Sequence, residues 1–308
     1  MAASAQRVTV DPSGRGQRLD RYLAGLGTWG SRSQVQRLIN DGHVRLHGQR
    51  VKPGTVLRTG QQIDVEPLPP ALPVGIAAEA IPLEVLYEDD WLLVINKPAG
   101  LVVHPAPGHW HGTLVSALLH HWQGLRPGLD PLRPGIVHRL DKDTSGVLVI
   151  AKDTETHAAL GRQFRNREVE KQYVAVVAGR MPHASGMIAA PIGRNPVHRK
   201  RMAVRAGGRE ALTAYEVLEH FAEVTFVRLR PQTGRTHQLR VHLAAIGHPI
   251  IGDAVYGRRR QSRLVMRRQA LHAERLRFRH PRTGAWLVAT APWPEDLVGL
   301  RRQCELPA

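Results

Sequence analysis

The chain contains one cysteine, Cys304, so these 308 residues hold no internal disulfide framework and no cysteine-rich zinc or iron–sulfur site. No apolar run approaches the length that spans a bilayer. The opening residues, MAASAQRVTVDPSGRGQR, lack the continuous apolar core of a signal peptide. A cytoplasmic location without membrane attachment is therefore expected. Acidic residues are scarce: 26 Asp and Glu face 43 Lys and Arg, a formal net charge of +17. That surplus points to a polyanionic partner, because cationic side chains displace counterions condensed on phosphates. Lysine is rarer still, with six against 37 arginines. The arginine fork suits phosphate oxygens and base edges, although G+C-rich coding produces the same bias. Hydrophobic residues make up 42%, enough for a sizeable core and against disorder throughout.

Proline marks the main boundary. Four prolines lie within Pro67–Pro73, a density that neither a helix interior nor a central strand tolerates. Residues 67–83 read as a linker between a small unit, 1–66 (core about 18–66), and a larger one, 84–308. In the small unit, Leu19, Leu23 and Leu26 recur at helical spacing. A second helix is expected over Ser31–Gly42, with Ser31 or Ser33 as cap, Val35, Leu38 and Ile39 as its apolar stripe, and Arg32 and Arg37 off that stripe. Short strands follow at HVRLHG and QQIDVEP.

The larger unit is rich in strands. LEVLYEDDWLLVINK reads as strand, Asp-Asp turn, strand, and Thr113 caps a helix through LVSALLHHW. GIVHRL and GVLVIAK read as strands around a polar loop, and a helix carrying Leu160 and Phe164 comes next. KQYVAVVAG, ALTAYEVLEHF, VTFVRLRP, LHAERLRFRHP and AWLVATAP are further strand candidates, and Gly257–Gln269 reads as a solvated basic loop. Many strands with few, irregularly placed helices imply an α+β fold with an antiparallel-rich mixed sheet, not a doubly wound parallel one.

Chemistry concentrates in Gly135–Lys152, where a strand is expected to deliver His138, Arg139 and Asp141 into a loop. Taken alone, Asp141 reads as a turn starter. An EF-hand fails, because the twelfth loop position is Lys152 and no entering helix is present. His104, His109, His111, His120 and His121 match no zinc spacing, so no metal site is expected.

HRLDKDTSG resembles the signature of the RluA family of pseudouridine synthases. Further blocks of that family occur in order: Leu86–Pro105, Lys171–Gly179, Arg230–Gly257 and Gln269–Pro281. The segment before them resembles the S4 RNA-binding domain, so the whole chain looks like the RluD branch, which acts on large-subunit ribosomal RNA. The resemblance implies a pseudouridine synthase domain preceded by an S4-like domain, and an isomerase that turns uridines into pseudouridines without a cofactor. It implies Asp141 as the essential carboxylate, Arg240 as its basic partner with Arg235 as second candidate, and Tyr173 stacking on the target base. Arg139 would fill the gap left by the flipped nucleotide, with His138 beside it, and Leu271 would pack on the uracil. Arg32 and Arg37 of the S4-like unit are expected to contact RNA, and the protein is expected to be a monomer. Two rival classes are a catalytically silent RNA-binding protein and a hydrolase built on the His/Asp cluster.

Overall fold

The computed structural model of the chain describes residues 6–29, 32–66, 76–105, 110–126, 128–198, 201–257, 264 and 266–305. The N-terminal unit contains β1 (Gln6–Thr9), α1 (Leu19–Gly25), α2 (Arg32–Asn40), β2 (Val44–Leu46), β3 (Gln49–Arg50) and β4 (Gln62–Val65). Its strands form an antiparallel sheet in the order β1-β4-β2-β3. Leu19 and Leu23 of α1 and Val35 and Ile39 of α2 meet Val44, Ile63 and Val65 of the sheet in one buried cluster. Both helices thus bury an i, i+4 pair, as their spacing predicts. β1, upstream of the expected core, adds an edge strand to the sheet.

The larger unit continues with β5 (Glu84–Glu88), β6 (Leu92–Lys97), α3 (Leu114–His121), β7 (Ser145–Ala151), α4 (Thr154–Arg165), β8 (Glu170–Ala178), β9 (Ser185–Ala189), β10 (Ile192–Arg194) and β11 (Met202–Val204). It is completed by β12 (Leu212–His220), β13 (Val224–Pro231), α5 (Gln238–Ala245), β14 (Leu271–Arg279), β15 (Trp286–Thr290) and α6 (Glu295–Glu305). Nine of these strands form one sheet in the order β5-β6-β7-β14-β8-β13-β12-β9, with β15 paired to β14. All pairings in that sheet are antiparallel except β7–β14, which is parallel over two residue pairs. There Gly146 (φ 115°) lets the backbones meet; a Cβ at this position would sit 2.2 Å from the Ala273 carbonyl oxygen. Every residue of β7 is buried. Thr113 caps α3 and Asp153 caps α4, each accepting the N–H three residues on, a contact worth about 1 kcal/mol.

The structure corrects several expectations. GIVHRL is not a strand: only Ile136 bridges Ile150. Beyond that bridge the His138 ring takes the Val149 N–H that a strand carbonyl would have accepted. The basic segment Gly257–Gln269 is not simply a solvated loop; much of it lies outside the described residues, but the Arg268 side chain is buried and engaged. The Pro-rich stretch 67–75 and Ser31 also lie outside the described residues. Residues 76–83 pack on the larger unit, with Ile76 against Val115 and Leu119 and with Ile81 and Leu83 against the β6–β7 core.

Candidate active site

The loop Asp141–Thr144 leads into β7 at the middle of the large sheet, and a cleft opens there. Asp141, Tyr173, Arg235, Arg240, Leu271, His138 and Arg139 all line it. Its central feature is a chain of charges. Arg240 Nη1 donates to Asp141 Oδ2 at 2.9 Å. The same guanidinium grips Asp253 with Nε at 2.7 Å and Nη2 at 2.9 Å. Asp253 Oδ1 also accepts the backbone N–H groups of Val255 and Tyr256.

Burial disfavours charge on Arg240, but Asp253 and then Asp141 outweigh it, so its pKa lies above that of an ordinary arginine. Burial pushes the Asp253 carboxyl up, and Arg240 with the two N–H groups more than offsets this, leaving it below the usual carboxylate range. Asp253 is fully enclosed, whereas Asp141 keeps 19% of its side chain exposed. Arg240 thus has a closed face locked on Asp253 and an open one presented to Asp141. Swinging away would strand a buried charge, at a cost of about 3–5 kcal/mol.

The loop itself is braced from below. The buried Lys97 ammonium donates to the carbonyls of Pro98, Leu101 and Lys142. Burial lowers its pKa to about 7. Arg268, paired with Asp296 of α6, donates to the carbonyls of Asp143, Gln269 and Leu271. The backbone turn that presents Asp141 is therefore held by two cations from distant parts of the chain.

Tyr173 of β8 and Leu271 of β14 supply the apolar wall. Burial, then the charge of Asp141, push the Tyr173 phenol well above its ordinary pKa. His138 stacks on Phe164 with ring centroids 4.5 Å apart. Burial, then Lys171, lower its pKa to about 3. It is a neutral imidazole whose Nε2 accepts from Val149, which places its proton on Nδ1. Arg139 is exposed at the cleft mouth. Arg235 lines the cleft, but its Nε donates to the Glu210 carbonyl; Arg240 alone of the two candidates pairs with Asp141.

His237 is a further wall residue. It sits in the left-handed region (φ 56°) just before α5, a conformation costing a non-glycine residue roughly 1 kcal/mol or more. Tyr256 Oη accepts the Met202 N–H at 2.9 Å and lies 2.8 Å from His237 Nδ1. The assignment that leaves neither hydrogen idle has Tyr256 donating to Nδ1. The imidazole proton then sits on Nε2, 3.9 Å from Asp141 Oδ1.

Asp253, His237, Tyr256, Lys97 and Arg268 received no role in the sequence reading. His237, Asp253 and Tyr256 lie within the Arg230–Gly257 block and Lys97 within Leu86–Pro105, so the blocks themselves were the available signal. Arg32 and Arg37 lie outside the cleft. Arg32 pairs with the buried Asp20 at 3.0 Å, and Arg37 bridges to Asp130 of the larger unit at 2.8 Å. Of the histidines weighed as metal ligands, His121 pairs with Glu88 and His111 with Glu79; His109 lies outside the described residues. Among the described residues no cluster of three His, Cys, Asp or Glu is placed to hold a metal ion. No helix among them is long and apolar enough to cross a membrane.

A carboxylate fixed by a guanidinium, beside an aromatic and an apolar wall in a cation-rimmed cleft, is a candidate enzyme site with the chemistry to take a flat, polar group carried on a polyanion. Comparison with known proteins gives that class its family. The RNA pseudouridylate synthase family matches residues 91–245 and the S4 domain matches residues 17–63. The chain is 45% identical over 294 residues to an uncharacterized RNA pseudouridine synthase, YlyB, of Bacillus subtilis, covering 95% of this chain and 96% of that protein. It is 45% identical over 300 residues to ribosomal large subunit pseudouridine synthase D of Nitrosomonas europaea, covering 95% and 86%. Among solved structures, human RNA pseudouridylate synthase domain containing 1 superposes with a TM-score of 0.60 at 31% identity, over 72% of this chain and 89% of that one. The chain belongs to the RNA pseudouridylate synthase family, isomerases that act on uridines in RNA.

Proposed function

We propose that this protein converts selected uridines of large-subunit ribosomal RNA to pseudouridine, with Asp141 as the reacting carboxylate. The observation that carries the reading is the Asp253–Arg240–Asp141 chain facing Tyr173 and Leu271. The names of similar proteins that act on the ribosomal large subunit support the choice of RNA. In the reaction the C1′–N1 bond breaks, the uracil turns, C1′ joins C5, the C5 proton leaves, and N1 gains a proton. The base must first leave its stack. Tyr173 and Leu271 then receive its faces while Arg139 occupies the gap it leaves. Arg240 holds Asp141 aimed at the nucleotide, as nucleophile or as stabiliser of positive charge developing on the ribose. Tyr173 stays protonated across neutral pH, so its hydroxyl assists C5 deprotonation as a relay and not as a phenolate. His138 fixes the backbone that bears Asp141, and Arg235 steers the RNA at the cleft edge.

No cofactor is required by this chemistry, since no electron, phosphate or water is exchanged. Residues 1–66 act as the RNA-binding domain, joined by 67–83 to the synthase domain, 84–308. Arg32 and Arg37 contribute to RNA contact through the parts of their guanidinia that the ion pairs leave exposed. The protein works as a cytoplasmic monomer.

Replacing Asp141 with Asn keeps shape and removes the carboxylate. D141N should bind ribosomal RNA normally and release no tritium from C5-labelled RNA. Near-wild-type single-turnover rates would refute the role. Tyr173→Phe should keep base stacking and slow the reaction on the order of 10²-fold; an unchanged chemical step would remove the relay. Mapping pseudouridines in RNA from cells with and without the protein identifies the targets.

A further inference from the structure

A second cavity adjoins the cleft, sharing Phe164, Lys171, Thr233, Gly234 and Arg235 with it. Its lining includes Arg165, Arg167, Lys171, Arg209 and Arg235, and no carboxylate. One acid lies at its rim: Glu210, itself exposed, pairs with Arg167 at 3.3 Å. Lys171 is only partly exposed, and no carboxylate among the described residues pairs with its ammonium. Its pKa is lowered by burial and then by Arg167, and that of Arg235 by burial and then by Arg209 and Arg167. Like charges are thus gathered where burial already disfavours them, an arrangement that an anion would relieve.

Two features tie this cavity to the reaction. Lys171 and Tyr173 are two apart on β8, so their side chains leave the same face of the strand, roughly 7 Å apart. Tyr173 faces only the cleft, whereas Lys171 lines both cavities. Base and phosphate hang from one ribose, so a uracil stacked on Tyr173 would have a backbone phosphate within reach of Lys171. Arg167 occupies the turn after α4 in the left-handed region (φ 64°), where glycine is the usual residue. Keeping an arginine there has a backbone cost that a ligand contact would explain.

We propose that this second cavity is a phosphate subsite for the RNA backbone flanking the target uridine, with Lys171 as its floor and Arg167 and Arg209 as its rim. The proposal rests on the function inferred above and adds to it how the strand is registered: one phosphate is clamped while its base is presented to Asp141.

The test uses short synthetic RNA stem-loops with an unpaired uridine, each carrying a neutral methylphosphonate in place of one flanking phosphate. Binding to the wild type should weaken about tenfold for one replacement position, with the others costing much less. Lys171→Met and Arg209→Ser should each bind the unmodified RNA more weakly, with the slope of log affinity against log salt reduced by just under one. The critical methylphosphonate should then cost Lys171→Met little more. Arg209 is exposed, so its variant reports even if the Lys171 variant misfolds. Equal methylphosphonate penalties in wild type and variants at every position, or an unchanged affinity and salt slope, would overturn the subsite. A wild type that couples to the phosphate yet leaves every uridine unconverted would instead overturn the function and leave the subsite standing.

Discussion

Asp20 in the N-terminal unit and Asp253 beside the cleft are both fully buried aspartates held by arginine, and they do opposite work. Asp20 gathers Arg18, Arg32 and Gln36. Both of its arginines remain about half exposed, at 51% and 53%. Asp253 holds one arginine, Arg240, which is 6% exposed and passes its remaining face to Asp141. The first arrangement ties a surface to a small core; the second fixes the position of Asp141 in the cleft. A net charge of +17 therefore says little about any single arginine. What matters is whether an anionic partner is already present, as for Arg32 and Arg37, or must arrive as phosphate, as inferred for Arg209.

The contrast is tested most strongly at Asp253. Asp253→Ala leaves Arg240 enclosed with only Asp141 and is expected to cost about 3–5 kcal/mol in urea denaturation, with loss of isomerisation. Next is removal of the N-terminal unit. A chain starting near residue 75 should keep its single-turnover rate at saturating RNA while affinity falls on the order of tenfold or more, with a shallower salt dependence. A collapsed rate would show that the unit shapes the site. Asp20→Ala should cost less than Asp253→Ala, about 1–3 kcal/mol, because its arginines can turn to water. Equal losses at the two aspartates would erase the distinction.

The smallest effect concerns acid. His138 has its pKa lowered from 6.5 to about 3, so as pH falls the unfolded chain takes up this proton before the folded one does. The stabilisation is complete above about pH 6.5 and is lost progressively toward pH 3. By about pH 5.5 the loss from this group is roughly 1 kcal/mol. His138→Gln, which keeps an acceptor near the Val149 N–H and cannot titrate, should lessen the fall in unfolding free energy between pH 7 and about 5.5 by that amount, read by urea denaturation at each pH. Parallel pH profiles for the two proteins would remove His138 from the account.

Legibility in the sequence followed local pattern. α1, α2, α3 and α4 were readable because apolar spacing lies within each segment, helped at α3 and α4 by a capping side chain, and β6, β7 and β13 because each holds a short run of apolar and β-branched residues. α5 was missed for a physical reason: Gln238 through Leu243 are all buried, and a helix enclosed on every side shows no polar face to reveal its period. GIVHRL has strand composition, but Gly135 sits at φ 69° against the Ala151 carbonyl and a side chain replaces the ladder, which no periodicity encodes. The Asp141–Arg240 pairing was legible through the family blocks. Asp253 was not, because GDAVYG reads as a turn, and its carboxylate does cap one while also holding Arg240.

The order of strands has a consequence in time. β14 lies between β7 and β8, and the cleft wall needs its Leu271. The N-terminal sheet is complete at Val65, more than 200 residues earlier. At about 5–20 residues per second of synthesis, roughly 10–40 seconds separate the two points. A growing chain thus has its S4 unit complete well before the cleft has its Leu271 wall, and the brace from Asp296 through Arg268 comes later still. Under the function proposed above, nascent protein would hold RNA before it could alter it.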